Sequence, residues 1–186
     1  MRQAGDTLIE VILGITIFSL VAVGALTLMN SGLSIAQRSL ETTLVRQQID
    51  AQAELLRYVS HSDTPTALAL WANIKSDYAV NGSPKTVLNT DTCPQPTSLQ
   101  RPFALRLSGA SLSLVSQSAM TSSPETYAKV VHDGSSLGSQ GISIQLVRVG
   151  GSSNTYDAYI QACWEGPGAS RPMTIGTIAR IYDTGA

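Results

Sequence analysis

Twenty-seven consecutive residues, Val11–Gln37, carry no charge, and this run lies close to the start of the chain. Its first nineteen residues, Val11–Met29, are apolar apart from Thr16, Ser19, Thr27 and the small residues Gly14, Gly24 and Ala25. As a helix they cover about 28 Å, close to the hydrocarbon thickness of a bilayer. A 186-residue protein cannot readily surround a helix that is apolar on every face, so the run reads as a membrane span rather than a core helix. Asn30, Ser31 and Gly32 mark its far interface.

The remaining composition narrows the classes further. Charged residues make up 13% of the chain, where soluble domains carry about 25%. The net charge of −1 gives no electrostatic footprint for nucleic acid or for a polybasic membrane contact. Small net charge with 43% hydrophobic residues also argues against disorder. An anchored protein with a polar, Ser/Thr/Gly-rich extracytoplasmic domain is the expectation. A cleaved secretory signal is the competing reading, because Ala22-Val23-Gly24 offers a small-x-small site before Ala25. The flank argues against it: Arg2 is the one basic residue there, and Asp6 and Glu10 are acidic.

Glu10 is costly beside an apolar span unless it finds a partner or reaches the headgroups. Its setting, Gly5-Asp6-Thr7-Leu8-Ile9-Glu10-Val11, resembles the prepilin motif of the type IV pilin and pseudopilin superfamily. The resemblance is specific over the first 30 or so residues and architectural beyond them. It implies a leader, residues 1–5, removed by a prepilin peptidase after Gly5, then N-methylation of Asp6. A filament-core helix over 6–32, its amphipathic continuation over 33–60 and a globular head over 61–186 would follow. The implied partners are other pilin subunits, the prepilin peptidase and the assembly machinery, with the inner membrane holding the protein before it joins a cell-surface filament. Asp6 departs from the Phe or Met common at that position in the family. On physical grounds the new ammonium at Asp6 would pair with a neighbouring subunit's Glu10 and set axial register. The Asp6 carboxylate partly neutralises that ammonium, which suits a minor subunit.

The helix is expected to run on to Val59, with Leu33, Ala36, Leu40, Leu44, Ala51, Leu55 and Tyr58 forming its packing stripe and Arg46–Asp50 an ion pair. A bend or melt at Asn30–Gly32 fits the weak helix formers there. Ser62-Asp63-Thr64-Pro65 opens a short helix carrying Leu68, Trp71 and Ile74. Asn81-Gly82 reads as a turn, ahead of its match to a glycosylation sequon, and 85–101 reads as an irregular loop. Strands are expected at Phe103–Leu107 and Ser111–Val115, as a hairpin, and at Tyr127–His132, Ile142–Val149, Tyr156–Trp164 and Thr174–Tyr182. Short connections favour an antiparallel meander packed on the helix, an α+β fold of the kind the resemblance implies.

Cys93 and Cys163, an even count in a domain expected outside the cytoplasm, suggest one disulfide, with two buried thiols as the alternative. Gly134-Ser135-Ser136-Leu137-Gly138, preceded by His132 and Asp133, matches a hydrolase pattern but lacks the following helix the motif requires. His61 and His132 have no second ligand at metal spacing. The expected role is therefore structural, without cofactor or catalytic residues. An anchored binding protein that never polymerises, and a protein secreted after cleavage before Ala25, are the alternatives.

Overall fold

The computed structural model describes residues 6–88, 91–109, 111–122, 141–150, 154–166 and 169–183. The expected strand Tyr127–His132, the Gly134–Gly138 motif with His132 and Asp133, and the leader with Gly5 lie outside them. The protein divides into two compact units at Leu40/Glu41, each with its own character.

The first unit is the beginning of helix α1, which spans Asp6–His61 (56 residues) and keeps helical backbone through Asn30–Gly32. The helix does not melt there, because the residues on both sides are strong helix formers and Gly32 costs only about 1 kcal/mol.

The second unit, from Glu41 onward, is a packed α+β domain. The last turns of α1 lead to α2, Pro65–Asn73, with Pro65 in its first turn. α2 continues as a single π-helical turn, Ile74–Tyr78. Next come β1 (Ala79–Asn81), a 3₁₀ turn at Pro96–Ser98, and the hairpin β2 (Ala104–Ser108) and β3 (Ser111–Val115). α3 (Gln117–Ser122), β4 (Gly141–Arg148), β5 (Thr155–Trp164) and β6 (Met173–Tyr182) complete the described elements.

The main sheet has the order β1-β4-β5-β6, with β4, β5 and β6 an antiparallel meander in the expected places. One strand departs from the expected pattern: β1 pairs with β4 in parallel, Ala79 opposite Leu146 and Asn81 opposite Arg148. Asn81 thus closes a strand instead of leading a turn, and the backbone bends at Gly82. β2 and β3 form a separate antiparallel pair, joined to the main sheet where Phe103 and Ile144 exchange backbone hydrogen bonds of 3.0 and 2.8 Å.

One face of the sheet presents Ile142, Ile144 and Leu146 of β4, Ala158, Ile160 and Trp164 of β5, and Ile181 of β6. These pack with Val45, Ile49, Ala53, Leu56 and Val59 of α1 and with Trp71 and Ile74. The helix therefore docks through a different stripe from the expected one. Leu44 and Tyr58 are 52% and 55% exposed, Leu40 and Ala51 are exposed, and Leu55 is only half-buried. The two stripes lie about one residue apart around the helix, and the buried one includes the polar Gln52 and Ser60. Gln52 has a specific role there: its side-chain amide donates to the Leu105 carbonyl (2.6 Å) and its carbonyl accepts from the Leu105 amide (2.8 Å), as a strand neighbour would. The expected Arg46–Asp50 pair is not formed among the described residues; Arg57 pairs with Glu54 further along the helix.

On the opposite face of β4 and β5, Ser143, Gln145, Val147, Gln161 and Cys163 are buried too, and described residues of segment 83–102 bond to that face. Gln145 is fully buried; its carbonyl accepts from the Lys85 and Gln100 amides (3.2 and 3.1 Å) and its amide donates to the Lys85 carbonyl (2.6 Å). Gln161 accepts from the Val87 amide at 2.9 Å. Gly176, paired with Gln161 across β5–β6, makes room for this, since a Cβ there would stand 3.2 Å from both Gln161 Cγ and the Ile160 carbonyl oxygen.

Candidate anchoring and assembly segment

Backbone is helical from Asp6, the first described residue, and Glu10 and the apolar run follow on one unbroken helix. From Leu8 to Leu40 every large apolar side chain is exposed, Phe18 and Leu20 each at 74%. This is a helix long and apolar enough to cross a bilayer, and none of its most apolar stretch is buried inside the protein. The exposure runs all round the helix rather than along one stripe, so the described residues of the protein do not cover this segment.

Hydroxyls within the run are satisfied by the helix itself. The Thr16 hydroxyl lies 3.0 and 2.8 Å from the Ile12 and Leu13 carbonyl oxygens. Ser19 donates to the Ile15 carbonyl and Thr27 to the Val23 carbonyl, both at 2.8 Å, and Ser34 to that of Ser31 at 2.9 Å. Hydroxyls bonded back to the preceding turn present little unmet polarity to an apolar medium. Glu10 contrasts with them. Its side chain is exposed, and it has no hydrogen-bond or ion-pair partner among the described residues. Of Asp6 only the helical backbone is described; the structure does not place its side chain with Glu10.

The other expected site is formed. Cys93 and Cys163 are joined in a disulfide across 70 residues, with Cα atoms 5.5 Å apart, and it staples segment 83–102 to the sheet face that holds Gln145 and Gln161. Next to it, Trp164 donates from Nε1 to Glu41 Oε2 at 3.1 Å, tying the end of β5 to α1. A second polar clamp is not legible in the sequence. Asp183 accepts from Trp71 Nε1 (3.1 Å) and from Lys75 Nζ (2.7 Å), locking the strand end after β6 onto α2. No motif marks these residues, which lie more than a hundred positions apart.

His61 sits at the helix end, with Nδ1 2.9 Å from Ser60 Oγ and 3.0 Å from the Arg57 carbonyl oxygen. Among the described residues no three His, Cys, Asp or Glu side chains cluster in a way that would hold a metal ion. A cleft of about 520 Å³ opens where the exposed stripe reaches the hairpin, lined by Leu55, Tyr58, Thr64, Leu70, Leu107 and Leu112 among others. None of its described lining residues is charged.

Comparison with protein-family models, with curated proteins and with solved structures yields no match.

Proposed function

We propose that this protein is a structural subunit, of minor type, of a type IV pilus or related filament. It is inserted in the cytoplasmic membrane by the first half of α1, cut after Gly5 and methylated at Asp6. It is then built into a surface filament through the same helix, with the packed domain outside the cytoplasm. The observation that carries this reading is Glu10: a carboxylate without a partner among the described residues, at the head of a helix whose Thr16, Ser19 and Thr27 hydroxyls are bonded internally. An unpaired charge in such a setting costs several kcal/mol. A cationic N-terminus supplied by a neighbouring subunit would remove that cost and fix axial register.

Sequencing the N-terminus of the mature protein is the first test. A start at Asp6 supports the reading, a start at Met1 leaves a simple anchor that does not polymerise, and a start at Ala25 means secretion. Assembly is the second. Glu10→Ala is expected to be processed and inserted normally yet lost from purified filaments, and incorporation equal to wild type would sink the register argument.

A further inference from the structure

Asn81 and Gly82 carry a chemistry that the assembly role does not use. Asn81 is the exposed last residue of β1, a three-residue strand at the end of the sheet order. Gly82 follows at φ 108°, in open space where even an added Cβ would meet nothing within 4 Å. The backbone is fixed on both sides of this peptide: Asn81 is held in register with Arg148, and Lys85 is bonded at both its backbone groups to Gln145.

We propose that Asn81 is a site of spontaneous covalent self-modification. The Gly82 backbone nitrogen, on losing its proton, attacks Asn81 Cγ; the new N–Cγ bond forms as the Cγ–Nδ2 bond breaks, and ammonia leaves. The resulting five-membered succinimide is opened by one water molecule. Addition at Cγ yields aspartate, and addition at the Asn81 backbone carbonyl carbon yields isoaspartate, with the main chain rerouted through Cβ and Cγ. Nothing beyond water is consumed. Gly82 brings no side chain to obstruct the ring, the site is open to solvent, and a three-residue edge strand opens locally at little cost. Asn30 and Asn73 lie in helices ahead of Ser31 and Ile74, where the following amide is engaged along the helix axis and a Cβ crowds the approach.

The two products differ in consequence. Aspartate adds a carboxylate in register with Arg148, whose guanidinium lies 5.9 Å from the Tyr156 ring centroid. Isoaspartate inserts one extra main-chain atom between two fixed points, which works against the β1 register and the Lys85–Gln145 bonds together.

The test uses the full-length protein in lipid nanodiscs, aged at mildly alkaline pH, digested, and read by mass spectrometry with fragmentation that separates isoaspartate from aspartate. Both acids are expected to accumulate at residue 81 while Asn30 and Asn73 remain amides, and the signal is expected to vanish in Asn81→Gln. Amide exchange at Lys85 and Val87 should quicken in the aged protein. The proposal is overturned if Asn81 stays intact over a period in which the urea-unfolded protein converts. Conversion at Asn73 or Asn30 as fast as at Asn81, or an isoaspartate signal that persists in Asn81→Gln, overturns it equally. None of these readouts depends on filament assembly.

Discussion

Residues 8–40 and 41–61 belong to the same helix and have the same backbone, yet the two segments bury opposite things. In the first, large apolar side chains stand exposed on all sides, and hydroxyls bond to their own preceding turn. In the second, one stripe is buried, and polar side chains reach out of the helix to distant backbone and rings, as Gln52 does to Leu105 and Glu41 to Trp164. The difference separates two sources of order. A helix in water gains most of its stability from packing an amphipathic face, which describes 41–61. A helix that can cross a bilayer must satisfy backbone and side-chain polar groups internally, and the hydroxyls of 11–37 bond in that way. Changes in the packed domain should therefore alter its unfolding, and comparable changes in the exposed segment should not.

The largest expected effect comes from the disulfide. Replacing Cys93 and Cys163 together by Ala releases a crosslink across 70 residues, which corresponds to about 4 kcal/mol in the chain-entropy model. The urea midpoint of the full-length protein in nanodiscs, followed by fluorescence of the buried Trp71 and Trp164, should fall accordingly. The helical signal of the exposed segment should persist through that transition, and its loss in the same transition would erase the distinction drawn between the two regions.

Next is a pair of identical truncations on one helix. Leu56→Ala removes a side chain with 0% exposure in the core, and about 3 kcal/mol is expected from the same measurement. Leu28→Ala, at 76% exposure, should leave the packed domain's midpoint unchanged. Equal losses at the two positions would mean that the segments unfold as one cooperative unit.

The exposed segment is more legible in the sequence than the packed one, for a physical reason. A run that is apolar on every face needs no choice of face, so its length and composition carry the argument, and the β4–β5–β6 meander follows from alternation and short Gly-rich turns. The docking face of α1 differs from the expected one because two apolar stripes run side by side. Leu44, Ala51, Leu55 and Tyr58 offer as good a helical period as Val45, Ile49, Ala53, Leu56 and Val59. Gln52 lies on the second stripe, and its polarity looks like a break in the pattern until Leu105 arrives from another part of the fold to be bonded. β1 escapes detection because three residues are too few to show a period, and Asn-Gly is a strong turn signal. α3 offers the buried Met120 and the partly buried Ala119 among its described side chains, too short a run to show a period. In the candidate assembly segment Glu10 is legible, whereas the Asp183 clamp is not, since contacts between distant positions leave no local trace.

Gln145 tests the packed domain more finely. Gln145→Leu keeps the volume but leaves the Lys85 amide and carbonyl and the Gln100 amide without their partner. Leaving buried groups unsatisfied costs roughly 1–3 kcal/mol, and amide exchange at Lys85 and Gln100 should quicken before global unfolding. If protection at those two amides is unchanged, the Gln145 bonds are not what holds Lys85 and Gln100 on the sheet.

The smallest expected effect is in acid. Asp157 lies opposite Arg180 across β5–β6 and accepts two hydrogen bonds from its guanidinium, at 2.7 and 2.9 Å. Those charge-assisted bonds hold the Asp157 carboxyl below its ordinary value, outweighing the partial burial that pushes the other way. A carboxyl whose folded pKa is depressed contributes stability that is fully present above the unfolded value near 4 and is lost as pH falls through the folded one. The urea midpoint of the wild-type protein should therefore decline below about pH 4, and part of that decline should vanish in Asp157→Asn. Arg180 is largely exposed, so solvent screening keeps this contribution modest. Glu10→Gln is the matching control in the exposed segment: it should leave the acid profile of the packed domain unaltered, because Glu10 has no ion-pair or hydrogen-bond partner among the described residues.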